Sequence, residues 1–205
     1  MTYPENLPLV IAFIPLALCS IAATAIIAER ALVFARLRRP RAVVERLAAR
    51  SSDALAPAEL EAAAAKGGFC SAAIAALAAH SGRAKPLRDE AATIALAECA
   101  APLTARLNGL ATIAALAPML GLLGTVTGMM FAFQAMESHA GPVEPAVIAG
   151  GLWQAMITTA AGLIIAVPCL IAHAFFRSAA RARIARAERL LSRFSLALET
   201  GGEHP

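Results

Sequence analysis

Residues 107–136 and 146–176 contain no Asp, Glu, Lys or Arg, and each stretch carries a line of glycine, alanine and threonine through otherwise apolar sequence. A helix needs only roughly 20 apolar residues to cross roughly 30 Å of hydrocarbon, so both stretches are long enough to span a bilayer. A further apolar segment, Leu7 to Ala28, meets the same length. With 59% hydrophobic and 16% charged residues in a 205-residue chain, an ordinary soluble domain is excluded. The expected fold class is all-α, a three-span membrane helix bundle with long cytoplasmic helical extensions.

Charge orients the spans. The 18 cations lie in two blocks, Arg30 to Arg106 and Arg177 to Arg193, and none falls before residue 30 or within 107–176. Lys and Arg concentrate on the cytoplasmic side of membrane proteins. The pattern therefore predicts an external segment 1–6, a first span 7–29, a cytoplasmic helical insert 30–106, a second span 107–136, an external loop 137–145, a third span 146–176 and a basic cytoplasmic tail 177–205. The N-terminus is external and the C-terminus cytoplasmic. A cleaved signal peptide would need a positive n-region, and Glu5 is the only charged side chain before Glu29. The basic collar next to the membrane suits anionic lipids, at about 1 kcal/mol per cation, better than nucleic acid.

Cys19, Cys70, Cys99 and Cys169 show no CxxC or Cys/His ligand spacing, and His80, His139, His173 and His204 are dispersed. No metal site, cofactor or disulfide framework is expected. With no nucleophile and base pair in or beside the spans, an enzyme is not expected either.

The insert is alanine-rich and reads as helices punctuated by Pro40, Pro57, Gly67 with Gly68, and Gly82 with Pro86. Pro57 opens a short helix with Glu59 and Glu61 in its first turn. Pro86 opens another as its N1 residue, followed by Asp89 and Glu90, acids that favour a helix N-terminus. No strong stop follows before Met136, so one helix of roughly 75 Å is predicted, bent but not ended by Pro102 and Pro118. The third span should start near Pro145 and run past Phe176 into the arginine-rich tail, read as a solvated helix end with snorkelling cations.

At 100° per residue, Ala117, Gly121, Gly124, Thr125, Gly128 and Ala132 fall within about 100° of one another, with Thr127 roughly opposite Thr125. Gly151, Ala155, Thr159, Gly162 and Ala166 recur at spacings of 4, 4, 3 and 4, flanked by Gln154 and Thr158. Two readings are open. Small faces let helices touch, with Gly121, Gly124, Gly128, Gly151 and Gly162 at the contact and each threonine hydroxyl bonded to its own helix. Alternatively the faces line a tight passage in which Thr125, Thr159, Gln154 and Thr158 bond water or a partner's ionisable group. The two spans that carry these faces hold no acid, and neither does the apolar run Leu7 to Ala28, so this chain does not supply an intramembrane carboxylate.

The run Leu110-Ala-Thr-Ile-Ala-Ala-Leu-Ala-Pro-Met-Leu-Gly-Leu-Leu-Gly-Thr-Val-Thr-Gly-Met-Met130, with Leu152-Trp-Gln-Ala-Met-Ile-Thr-Thr-Ala-Ala-Gly-Leu-Ile-Ile-Ala-Val-Pro168, resembles the ExbB/TolQ/MotA family of proton-channel subunits. Three spans resemble ExbB and TolQ more than the four-span MotA branch. The resemblance implies a homo-oligomeric ring, a pentamer, around a single-span ExbD- or TolR-like partner whose membrane aspartate governs proton flow. It also implies a TonB- or TolA-like protein that carries proton-motive force to the outer membrane. By position Thr125 and Thr159 match the pore threonines of the second and third spans, and Pro118 and Pro168 match family prolines that kink the helices. Gln154 stands where the family often has glutamate, and His173 with Ala174 where it has Tyr-Asn. The alternatives are a TolQ-like envelope-constriction motor or a MotA-like stator, and, in a different class, a passive membrane scaffold.

Overall fold

The computed structural model describes residues 7–36, 57–65, 68–137 and 145–202. The expected external segment 1–6, most of the expected external loop, Pro40, Gly67 and the cations Arg38, Arg39 and Arg41 lie outside the described residues. Every regular element among the described residues is an α-helix: α1 (Leu7–Arg36), α2 (Pro57–Ala65), α3 (Ser71–Ala79), α4 (Lys85–Thr104), α5 (Leu107–Glu137) and α6 (Pro145–Gly202). Three stretches, Phe13–Arg36, Lys85–Gln134 and Ala149–Glu199, are long and apolar enough to cross a membrane. The fold is therefore all-α with three candidate spans.

Contacts divide the chain into two units. Among the described residues the first comprises 7–29, 106–137 and 145–175, and the second 30–36, 57–65, 68–105 and 176–202. In the first unit, Leu16, Ala117 and Ala166 form one buried cluster, and Ala23, Leu110 and Cys169 another. Most of its large apolar side chains point outward instead: Ile21, Met119, Met130, Trp153, Ile164 and Ile171 are all more than 60% exposed. That surface has the character of one solvated by lipid or covered by other chains rather than by water.

The second unit has a water-soluble kind of core, built from Leu60, Ile74, Leu77, Leu96, Leu191 and Phe194 among others. Phe194 is 0% exposed. The expectation of a solvated basic tail is corrected here: Leu190, Leu191, Phe194 and Ala197 put one face of α6 into this core, while Arg177, Arg181, Arg186, Arg189 and Arg193 remain exposed on its other side. Arg183 departs from that arrangement, because its guanidinium stacks 4.8 Å above the Phe34 ring and donates to the Phe34 carbonyl at 3.4 Å. Between α2 and α3, Gly68 adopts φ +144°, a conformation that L side chains rarely enter. Its carbonyl accepts from the Ser71 hydroxyl at 3.0 Å at the start of α3.

The predicted unbroken helix from Pro86 to Met136 is also corrected. α4 starts one residue earlier, at Lys85, and ends at Thr104; Ala105 turns extended at φ −53°, ψ 139°, and Arg106 takes φ 59°. A left-handed non-glycine residue costs about 1–2 kcal/mol, and two contacts offset that cost. The break leaves the Pro102 carbonyl without the N–H that a continuing helix would bring to it, and the buried Arg30 supplies Nη1 at 2.5 Å in its place. Arg106 itself pairs with Glu29 and its carbonyl accepts from Leu110 N–H at 3.2 Å, opening α5. Neither contact is visible in helix propensity, because the partners lie 72 and 77 residues apart.

One polar network fastens α4 to α6 within the second unit. Arg88, 3% exposed, donates through Nη2 to the Ser195 carbonyl and hydroxyl, both at 3.0 Å. The Ser195 hydroxyl donates to Asp89 at 2.5 Å, and Lys85 pairs with Glu199 at 2.8 Å. Hydrogen bonds to a charged group contribute roughly 1.5–3 kcal/mol, so Arg88→Met is expected to destabilise this unit by roughly 2–3 kcal/mol. Lys85→Met should cost under about 1 kcal/mol, since both partners are largely solvated. Trypsin digestion rates of the detergent-solubilised protein measure both, and equal sensitivity of the two variants would contradict the ranking.

Candidate functional site

The two small-residue faces meet in the first unit. α5 and α6 run antiparallel with their backbones close, and the contact can be followed from end to end by asking what a methyl group would strike at each glycine. At Gly162 an added Cβ would lie 2.5 Å from the Ala117 carbonyl oxygen and 3.2 Å from Gly121 Cα. At Gly121 it would lie 2.9 Å from the Thr158 carbonyl oxygen and 3.0 Å from Thr159 Cα. Further along, Gly128 faces Ala155 at 2.9 Å and Gly151 faces Ala132 at 2.7 Å. Residues 117, 121, 128 and 132 of one helix thus oppose 162, 158–159, 155 and 151 of the other. Gly124 is buried between these levels. At Gly150, on the other side of α6, an added methyl would meet nothing within 4 Å.

Hydroxyl groups fasten the middle of this seam. Thr158, 3% exposed, has its Oγ1 2.6 Å from its own helix's Ala155 carbonyl and 3.2 Å from the Gly121 carbonyl across the seam. Thr159 donates to the same Gly121 carbonyl at 3.1 Å and is only half-buried. Thr125, one turn along α5, is half-buried and donates to the Leu122 carbonyl at 2.7 Å. Thr127 donates to Leu123 at 2.9 Å and Gly124 at 3.1 Å, so both of these threonines bond within α5.

The structure therefore brings Thr158, Thr159, Gly121 and Gly162 together, with Thr125 one turn away and Gln154, half-buried, beside Ala155. Pro118 is half-buried inside α5 and Pro168 is exposed inside α6. Helical spacing alone placed Thr158 on the flank of the small face, yet it is the most deeply buried hydroxyl of the seam. Its cross-helix acceptor was not readable from sequence, because any carbonyl of α5 could have filled that role until the register was set. The signal that pointed to it was the doubled threonine at 158–159, directly before the Ala-Ala-Gly step.

Chemically the seam offers hydroxyls, backbone carbonyls and one carboxamide. Such groups can orient water and exchange hydrogen bonds, but none holds a proton's charge near neutral pH. Among the described residues no group of His, Cys, Asp or Glu is disposed to hold a metal ion.

The seam lies within the part of the chain that resembles a known family. A model of the MotA/TolQ/ExbB proton channel family matches residues 61–189, more than half of the chain. The biopolymer transport protein exbB1 of Vibrio cholerae is 40% identical over 126 residues, covering 62% of this chain and 55% of that protein. The Tol-Pal system protein TolQ of Haemophilus influenzae is 43% identical over 68 residues, 33% of this chain and 29% of its own. The biopolymer transport protein ExbB of Neisseria gonorrhoeae is 39% identical over 69 residues, 34% of this chain and 31% of its own. The matched region spans about half of the Vibrio protein and under a third of the other two.

Proposed function

The chain belongs to the MotA/TolQ/ExbB proton channel family, and from that premise we propose that it is an ExbB-like channel subunit of the bacterial inner membrane. In this reading several copies, five by family resemblance, form a ring around a single-span ExbD- or TolR-like protein. The ring and its partner convert proton-motive force into work, through a TonB- or TolA-like protein, on an outer-membrane transport system. The observation that carries it is a tightly packed, hydroxyl-bearing seam in spans that have no carboxylate. Such a wall can line a proton path but cannot gate it alone. Thr125, Thr159, Thr158 and Gln154 are the wall residues, Gly121, Gly124, Gly128, Gly151 and Gly162 set its helix spacing, and Pro118 and Pro168 bend it.

A TolQ-like role in envelope constriction is the second reading, favoured by the 43% identity to the Haemophilus TolQ over 68 residues. Both readings require proton flux dependent on a partner's acid, which separates them from a passive scaffold. Flux in liposomes holding the ring with and without its partner tests the proposal. A pH-sensitive dye that stays unchanged with both chains present would leave the scaffold.

The reading also places the N-terminus outside, the second unit in the cytoplasm and the exposed arginines of α6 beside anionic lipid headgroups. The native thiols report poorly on this: Cys70 is buried, and burial pushes its thiol pKa up, as it does for Cys99. Glu90 is exposed on α4, so a Glu90→Cys variant is the better probe. A membrane-impermeant maleimide is expected to label it only after the inner membrane is opened. Labelling in intact spheroplasts would reverse the topology.

A further inference from the structure

Three donors converge on one oxygen in the seam. The Gly121 carbonyl is an α-helical acceptor for the N–H four residues on, and it is also within 3.2 Å of the Thr158 hydroxyl and 3.1 Å of the Thr159 hydroxyl. A carbonyl has two lone pairs, so one hydroxyl is redundant at any moment. The two hydroxyls differ in what else they can reach. Thr158 is sealed, 3% exposed, and its alternative acceptor is the Ala155 carbonyl at 2.6 Å. Thr159 is half-buried, so it keeps some surface beyond the seam.

We propose that Thr158 is a positioning residue that takes over the Gly121 carbonyl and so releases the Thr159 hydroxyl for the proton-conducting passage. The exchange needs no movement of heavy atoms at Thr158. Its single hydroxyl hydrogen swings about the Cβ–Oγ1 bond from Ala155 O to Gly121 O as the Thr159 hydroxyl turns outward to donate to water or to the partner's carboxylate. No covalent bond forms or breaks and no proton is lost from either threonine; two hydrogen bonds change acceptor. Without Thr158, an outward turn of Thr159 would strip the Gly121 carbonyl of its only cross-helix donor. Thr159 would then stay pinned, and the passage would lose a hydroxyl that is chemically still present.

This inference rests on the channel reading, and its test separates the two. Proton flux is measured in liposomes holding the ring with its single-span partner, for Thr158→Val, Thr159→Val, the double variant and Thr158→Ser. Either valine variant is expected to lower flux about tenfold, the size set by one mispaired buried polar group. The double variant should be no slower than the slower single variant, and Thr158→Ser should conduct normally. Losses that multiply in the double variant, or unimpaired flux in Thr158→Val, would overturn the proposal.

A second measurement does not require the Thr158→Val ring to assemble. With a ¹³C=¹⁸O label at the Gly121 carbonyl, its infrared band should keep the frequency of a cross-helix-bonded oxygen in Thr159→Val, because Thr158 fills the vacated place. A shift to the frequency of an oxygen bonded only within its helix would refute the takeover. If the wild-type ring and partner pass no protons, the channel reading fails, while the infrared band still decides the role of Thr158.

Discussion

Replacing Gly162 by valine is expected to abolish assembly of the spans, while valine at Gly150, twelve residues earlier on the same helix, leaves it intact. At Gly162 even a single methyl would sit 2.5 Å from the Ala117 oxygen and 3.2 Å from Gly121 Cα. Both obstacles are backbone, so no side-chain rotation relieves the clash and α5 and α6 must separate. Overpacking a tight core costs roughly 1–3 kcal/mol, and separation also forfeits the Thr158 and Thr159 bonds to Gly121, each worth roughly 0.6 kcal/mol in a membrane. With 1.4 kcal/mol per tenfold change, the sum corresponds to roughly one to three orders of magnitude in the packed population. Gly150 has nothing within 4 Å, so its substitution controls for inserting valine into a membrane helix. Yield of detergent-solubilised complex by size-exclusion chromatography reads both. A normal yield for Gly162→Val would mean that the two helices do not touch at this level.

Proton flux is expected to be at background for the purified ring alone, to appear when the single-span partner is co-reconstituted, and to vanish when the partner's membrane aspartate is changed to asparagine. A proton crossing hydrocarbon needs a group that binds and releases it, and intramembrane carboxylates are the usual relays. Residues 107–136 and 146–176 contain no Asp, Glu, Lys or Arg. His173 is the imidazole in these spans, half-buried toward one end of the third apolar stretch. Asparagine preserves the shape of aspartate and removes its titration, so it isolates proton carriage from packing. Robust flux from this chain alone that survives His173→Ala would show that water held by Thr125, Thr159 and Gln154 suffices, and the division of labour between the subunits would be wrong.

Much of this architecture was legible before any coordinates. The apolar lengths required helices, because a backbone in hydrocarbon must bond to itself. The 3.6-residue period placed Gly121, Gly124 and Gly128 on one face of the second span and Gly151 with Gly162 on one face of the third, and the spacings at residues 151, 155, 159 and 162 named most of the α6 side of the seam. What periodicity could not tell was what each face meets. Helical wheels describe one helix at a time, and the pairing of Gly162 with Ala117 or Gly128 with Ala155 depends on the axial register of two helices. Register is set by the sum of many close contacts and has no local signature.

The break at Ala105 and Arg106 was hidden for a similar reason. No local signal from Thr93 to Thr104 marks a stop, since Pro102 itself lies inside α4, and the contacts that accompany the break, Arg30 on Pro102 and Glu29 on Arg106, come from another segment. The basic tail misled in the opposite direction: its six arginines were easily seen, while the buried face formed by Leu190, Leu191, Phe194 and Ala197 needed the facing helices to give it a core.

By itself, then, the sequence determined that this chain is helical, crosses a membrane with uncharged segments, and presents small faces there, because each of these follows from local composition, period and the cost of burying charge. The tertiary structure alone decided that those faces close on each other, that Gly121 is the acceptor shared by Thr158 and Thr159, and where the long second helix stops. Those outcomes turn on contacts between residues 19 to 77 positions apart, whose energies exist only once the helices are placed side by side.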